Sequence, residues 1–185
     1  MKMKQNTTNA IPGFTKVIDL FAQAQKKMEP DAIPIFLYVM DKDASECHCF
    51  LCTTFFAKIN EKKRNTESGF SLILNKTILE EKYDTFVNSE VAKVFTKKKG
   101  VIDTPGCLQE KCEYYIKDFF GYDAEEASAV IVGLLKEVFD IKPEDVTLHI
   151  QLLGWDGNQE GGESTKTFDW SGKVIAKAGF EQDLF

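Results

Sequence analysis

Apolar positions along the first third of the chain switch from a helical to an alternating period. Phe14, Val17, Ile18, Phe21, Ala24 and Met28 recur at the spacing of one helix face, and Pro30 closes the segment. Ile33 to Met40 is an apolar run rich in β-branched and aromatic residues, which predicts a strand buried on both faces. Asp41 to Ala44 reads as a turn, and Cys47 to Cys52 as the returning strand of a hairpin. Residues 53–60 fit two patterns. Leu51, Phe55, Phe56 and Ile59 suit one helix face, and the same stretch could equally prolong the strand. Phe70, Leu72 and Leu74 alternate with Ser71 and Asn75, which predicts a half-buried strand.

The middle of the chain reads as helical. Thr77 and Glu80 form a capping-box pattern, and Leu79, Tyr83, Phe86, Val87, Val91, Val94 and Phe95 continue an apolar stripe behind it. Lys97 to Lys99 followed by Gly100 resembles a helix exit, with cations at the negative end of the dipole. Thr104-Pro105 predicts the next helix start, with Leu108, Cys112, Tyr115, Ile116 and Phe119 as its apolar face and Gly121 as its end. Asp123 and Glu126 cap a further helix, apolar around much of its circumference from Ala127 to Phe139 and so expected to be the most buried. Beyond Pro143, Val146, Leu148, Ile150 and Leu152 alternate with Thr147, His149 and Gln151, the pattern of a half-buried strand. A last hairpin is predicted around Ser171-Gly172. Strands and helices in segregated blocks imply an α+β fold, a mixed or antiparallel sheet packed against about four helices. The expected organisation is a flexible N-terminus, residues 1–12, followed by a single domain over residues 13–185.

Bulk composition narrows the function classes. A chain of 185 residues with fifteen phenylalanines can build a full hydrophobic core. The formal net charge of -6 argues against nucleic acid and against anionic lipid surfaces as partners. No apolar run reaches the length of a membrane span, and no secretory h-region follows Lys2 and Lys4. Five cysteines, an odd number, suit reduced thiols in a cytoplasmic protein.

Candidate chemistry is sparse. Cys47, His48, Cys49 and Cys52 form the densest group of metal-ligating residue types, with Cys107 and Cys112 as a possible second cluster. In a regular strand Cys47 and Cys49 would share one face, with His48 and Cys52 on the other. In a helix Cys107 and Cys112 would stand about 140° apart. The expectation is therefore buried thiols and no bound metal. Asp156, Asn158 and Glu160 before Gly161 match the first half of a calcium loop, but Thr167 stands where the bidentate glutamate belongs. His149 on the polar side of its strand is the accessible candidate base. No phosphate-binding glycine motif is present, and no cofactor is expected.

Leu134-Leu135, Ile141, Pro143, Val146, Ile150 and Gly154-Trp155-Asp156-Gly157 resemble the helix–turn–strand–Gly-Trp segment of the tautomerase superfamily, over 24 of 185 residues. That family uses an amino-terminal proline as its base. Met1 and Lys2 stand here, and Pro34 is internal, so the resemblance does not imply the activity. By elimination, the reading is a small cytosolic, non-catalytic protein-interaction module of an accessory, chaperone-like or immunity type. Its partner would be another protein, bound at Trp155, Asp156, Asn158, Glu160 and His149. The loop supplies glycines for unusual backbone angles and a tryptophan able to anchor an interface. The alternatives are a metal-binding domain built on Cys47 to Cys52, and a small enzyme with its site near His149 and the 154–163 loop.

Overall fold

The computed structural model describes residues 9–28, 35–53, 69–102, 110–153 and 163–179. Their alternating segments assemble into one sheet of eight strands: β1 (Ile35–Asp41), β2 (Cys47–Thr53), β3 (Gly69–Asn75), β4 (Thr96–Ile102), β5 (Glu110–Phe120), β6 (Val146–Leu153), β7 (Glu163–Asp169) and β8 (Val174–Ala178). The spatial order is β4-β5-β3-β2-β1-β6-β7-β8, and every neighbouring pair is antiparallel. The first hairpin therefore lies in the middle of the sheet. Later strands were added on either side of it.

Two long helices cover one face. Helix α1 (Pro12–Met28) buries Phe14, Val17, Ile18, Phe21 and Ala24, the stripe predicted from its spacing. Helix α2 (Ala124–Leu134) starts where the side chain of Asp123 accepts a hydrogen bond from the Glu126 N–H at 2.9 Å. It buries Ala127, Val130, Ile131, Val132 and Leu134, and a wider π turn, Leu135–Phe139, continues it. The turn ends at Asp140, in the left-handed region with φ 56°. Phe70 of β3 lies against Phe21, Phe119 and Tyr122, with ring centroids 5.8, 5.4 and 5.9 Å away.

The expected sheet with about four helices is corrected here. The described residues form a sheet-rich fold in which only α1 and α2 are long. The stripe over residues 79–95 becomes short pieces, Lys76–Leu79, Glu80–Lys82, Tyr83–Asn88 and Val91–Val94. Asn75, not Thr77, caps the first of them, accepting from the Ile78 N–H at 2.8 Å. Lys97 to Lys99 lie in β4 rather than at a helix exit. Lys97 and Lys99 share a strand face and both reach Glu113 of β5, at 2.8 and 3.1 Å. The predicted helix through Tyr115 and Phe119 is strand β5. An i, i+4 spacing satisfies a period of 2 as well as one of 3.6, and the β-forming Tyr114-Tyr115-Ile116 decides between them. β1 and β3 exchange their expected environments. β1 is buried on one side only, while all seven residues of β3 are buried. Positions 29–34, 54–68 and 103–109 lie outside the described residues, so the reading of 53–60 as helix or strand is not addressed.

The last hairpin forms where expected. Asp169 organises its turn by accepting from the N–H groups of Ser171 and Lys173, at 2.9 and 3.0 Å, and Gly172 takes φ 79°. This turn rests on the start of α1. A methyl group added at Gly13 would collide with the carbonyl oxygen of Trp170 and the backbone of Ser171. Gly13→Ala should therefore force the helix off the hairpin and lower stability by about 1–3 kcal/mol, read as a lower urea midpoint. An unchanged midpoint would show that the helix and hairpin do not meet this closely.

Candidate functional site

Strand periodicity divides the sheet into two unlike faces. Ile35, Leu37 and Val39 of β1 join the core beneath α1 and α2, together with Leu51, Leu72, Leu148 and Ile150. The intervening residues form a second, smaller cluster on the opposite face, away from both long helices. There Phe50, Cys52, Ile73 and Ile116 are buried, with Phe36, Tyr38 and Tyr114 packed half-buried against them. The rings of Phe36 and Tyr38 stack at 5.9 Å, and Phe50 lies 6.4 and 6.1 Å from them.

This aromatic patch adjoins a polar strip on β6 and β7. Tyr38 is paired across the sheet with His149, and Phe36 with Gln151. His149 and Gln151 are paired in turn with Thr167 and Thr165. The imidazole of His149 is held on both sides: Nε2 lies 2.8 Å from the Thr147 hydroxyl and Nδ1 lies 3.3 Å from the Thr167 hydroxyl. Burial pushes the pKa of His149 below its ordinary value, so the ring is neutral at pH 7. Two hydroxyls orient it, rather than the carboxylate or thiol that a catalytic dyad would place there. On the far side of the aromatics, Ser71 donates to Asp118 at 2.6 Å.

Of the residues singled out from the sequence, His149 is described and lies at the edge of the patch. Trp155, Asp156, Asn158 and Glu160 lie outside the described residues. Leu153 and Glu163 are paired, so the segment containing those four joins neighbouring strands. It leaves β6 about 13 Å along the strand from His149. Phe36, Tyr38 and Phe50 were missed as site residues. Their signal is the aromatics at every second position of Phe36-Leu37-Tyr38, hidden because the whole run is apolar.

The cysteine cluster is arranged differently from the regular strand expected. Met40 pairs with Cys47 and Val39 with Cys49, so His48 is the extra residue of a β-bulge. The bulge turns its ring to the helix side, 5.2 Å from the ring of Phe139 and alongside Cys49 in the core. By pairing, Cys47 and Cys52 belong to the other face, with Met40 and Phe36. Cys112 lies in β5 beside Gly100 rather than on a helix, and Cys107 is outside the described residues. Among the described residues no group of three histidine, cysteine or acidic side chains is placed to hold a metal ion. Burial pushes the Cys47 and Cys52 thiols up to about 12, and Cys49 upward as well. A shallow groove of about 580 Å³ along α1 includes Lys16, Asp19, Gln23 and Glu125 in its lining, but no cysteine or histidine.

No helix among the described residues is long and apolar enough to cross a membrane. No family model matches the chain, and comparison with curated proteins and with solved structures finds no match either.

Two measurable consequences follow from these environments. Cys47, Cys49 and Cys52 are protonated at pH 8, so native protein should react with iodoacetamide at these positions far more slowly than unfolded protein. Equal labelling in both states would contradict their burial. The second concerns acid. His48 is 2% exposed, and neither ring nitrogen has a hydrogen-bond partner. Burial lowers its pKa below 6.5, opposed in part by Glu46 and Asp41, and burial lowers His149 likewise. A histidine with a depressed folded pKa binds fewer protons when folded. Its contribution is complete above the unfolded value of about 6.5 and is lost as pH falls through that value towards the folded one. Unfolding free energy should therefore drop between about pH 7 and pH 5, less so in His48→Leu. Asp41 and Asp169, held below 3.8 chiefly by hydrogen bonds from Glu46 and Ser171, act the same way only in stronger acid. Stability that is flat or rises over the upper window would overturn the assignment.

Proposed function

We propose that this chain is a non-catalytic protein-interaction module, of accessory, chaperone-like or immunity type, and that it engages its partner through the sheet face around Tyr38 and His149. One observation carries the reading: a half-buried aromatic patch adjoins an uncharged hydrogen-bonding strip, on the face opposite the two long helices. Protein interfaces combine these two elements, aromatic anchors at the centre and a polar rim around them. Phe36 and Tyr38 are rigid and already stacked, so little side-chain freedom is lost on binding. Both ring nitrogens of His149 are engaged by threonine hydroxyls, so it offers a partner a fixed, uncharged ring edge, with Gln151 and Thr165 beside it for polar contact. The segment with Trp155, Asp156, Asn158 and Glu160 connects the two strands that bear the polar strip, and we assign it to the same surface.

Neither alternative has comparable support. The bulge at His48 separates the thiols of β2 between the two faces, and His149 meets hydroxyls in place of a catalytic partner.

Gln151 and Thr165 are directly paired and half-exposed, so Gln151→Arg with Thr165→Arg places two bulky charges on the strip. Affinity capture followed by mass spectrometry should recover a protein with the native chain and lose it with this double variant, at an unchanged melting temperature. Trp155→Ala should weaken the same capture. Recovery of the same proteins by all three chains would refute the placement.

A further inference from the structure

The bulge in β2 holds its extra residue, His48, in an unfavourable place. The side chain is 2% exposed, and neither ring nitrogen has a hydrogen-bond partner. Among the described residues, the charged groups that act on the ring are Glu46, whose exposed carboxylate lies 3.9 Å from Nδ1, and Asp41. Both belong to its own hairpin. From α2 the ring meets Phe139, which is uncharged. A neutral imidazole fills the space against Phe139, whereas an imidazolium there is largely desolvated.

The pairs beside the bulge define a second arrangement of the same residues. From Phe36 with Cys52 to Val39 with Cys49 the register is regular, and it slips only where Met40 meets Cys47. Continuing the inner register by one step pairs Met40 with His48 and Asp41 with Cys47, and the bulge is gone. The four inner pairs of the hairpin and the pairing of β1 with β6 need not change.

We propose that this end of the hairpin is an acid-sensitive register switch, in which protonation of His48 removes the bulge and His48 and Cys47 exchange faces. In the regular register His48 alternates with Cys49 and so joins Phe50 on the aromatic face, opposite Met40. Its charge is hydrated there, Glu46 lies on the same face two residues away, and the rings of Phe50 and Tyr38 offer a cation–π contact. Cys47 takes the place on the helix side, where a protonated thiol behaves as a small hydrophobe. At neutral pH the larger imidazole packs the space against Phe139 better than the thiol, which favours the bulge. The exchange gives up the hydrogen bond from the Asp41 N–H to the Glu46 carbonyl in the turn. If the aromatic face is the partner surface, acid sets a positive charge beside Tyr38; the register change itself does not rest on that reading.

Proton NMR of the native chain tests the switch without any partner. At about pH 7.5 the His48 ring should show cross-relaxation with the Phe139 ring. At about pH 5 that contact should vanish and one with the Met40 methyl group should replace it, following the titration of the His48 ring itself. In His48→Leu the side chain at position 48 should keep its contact with Phe139 at both pH values, because no charge drives it out. An imidazolium that still touches Phe139, paired in place with Glu46, would overturn the proposal. So would a chain that unfolds in mild acid without ever showing the Met40 contact, or a variant that loses the Phe139 contact over the same range.

Discussion

The burial of Phe70 is the contact on which the rest of the fold depends. Its ring touches Phe21 of α1, Phe119 of β5 and Tyr122 in the turn before α2, so one side chain ties three separate parts of the chain to the sheet. The neighbouring Gly69 has no side chain, because a methyl there would strike the carbonyl of Phe119 on the adjacent strand. β3 and β5 can therefore lie at full ladder proximity exactly where the aromatic cluster forms. With both long helices held on that face, the other is finished by side chains of the sheet and by Ile78 of the short helix that follows β3. Phe50, Ile73 and Ile116 do this, with Phe36, Tyr38 and Tyr114 around them.

How much of this could be read in the sequence varied with the distance over which each element is decided. Both long helices were legible, since a stripe of 3.6-residue period over several turns has no strand equivalent and Asp123 announces the start of α2. The hairpins of β1 with β2 and β7 with β8 were legible from their turn residues. The middle of the chain was not. At Cys112 and Ile116, and again at Tyr115 and Phe119, the i, i+4 spacing fits both periods. Lys97 to Lys99 suits a helix end by electrostatics and a strand by its partner, and that partner, Glu113, can be found only once the pairing is known.

The candidate site was legible by half. His149 stood out because a polar residue on an alternating strand is visible in one dimension. The aromatic patch beside it depends on which side of β1 the helices take, and that follows from the packing of α1 and α2. The bulge at His48 left no local mark at all. A single extra residue exchanged the faces of Cys47 and His48 relative to Cys49 and Cys52, without any glycine or proline to announce it. It left in the core a histidine whose two nitrogens have no hydrogen-bond partner, next to Phe139 at the π turn of α2.

The two ends of the sheet also bear on how far assembly can go. Strand addition is dangerous when both edges of a sheet accept a partner, because each addition renews the site it consumes and the product is a fibre. Here three successive lysines, two of them paired with Glu113, crowd β4 at one end, and the bulge at Ile175 disturbs the ladder of β8 at the other. Both ends of the described sheet thus carry a local feature that interrupts the repeat on which strand addition depends.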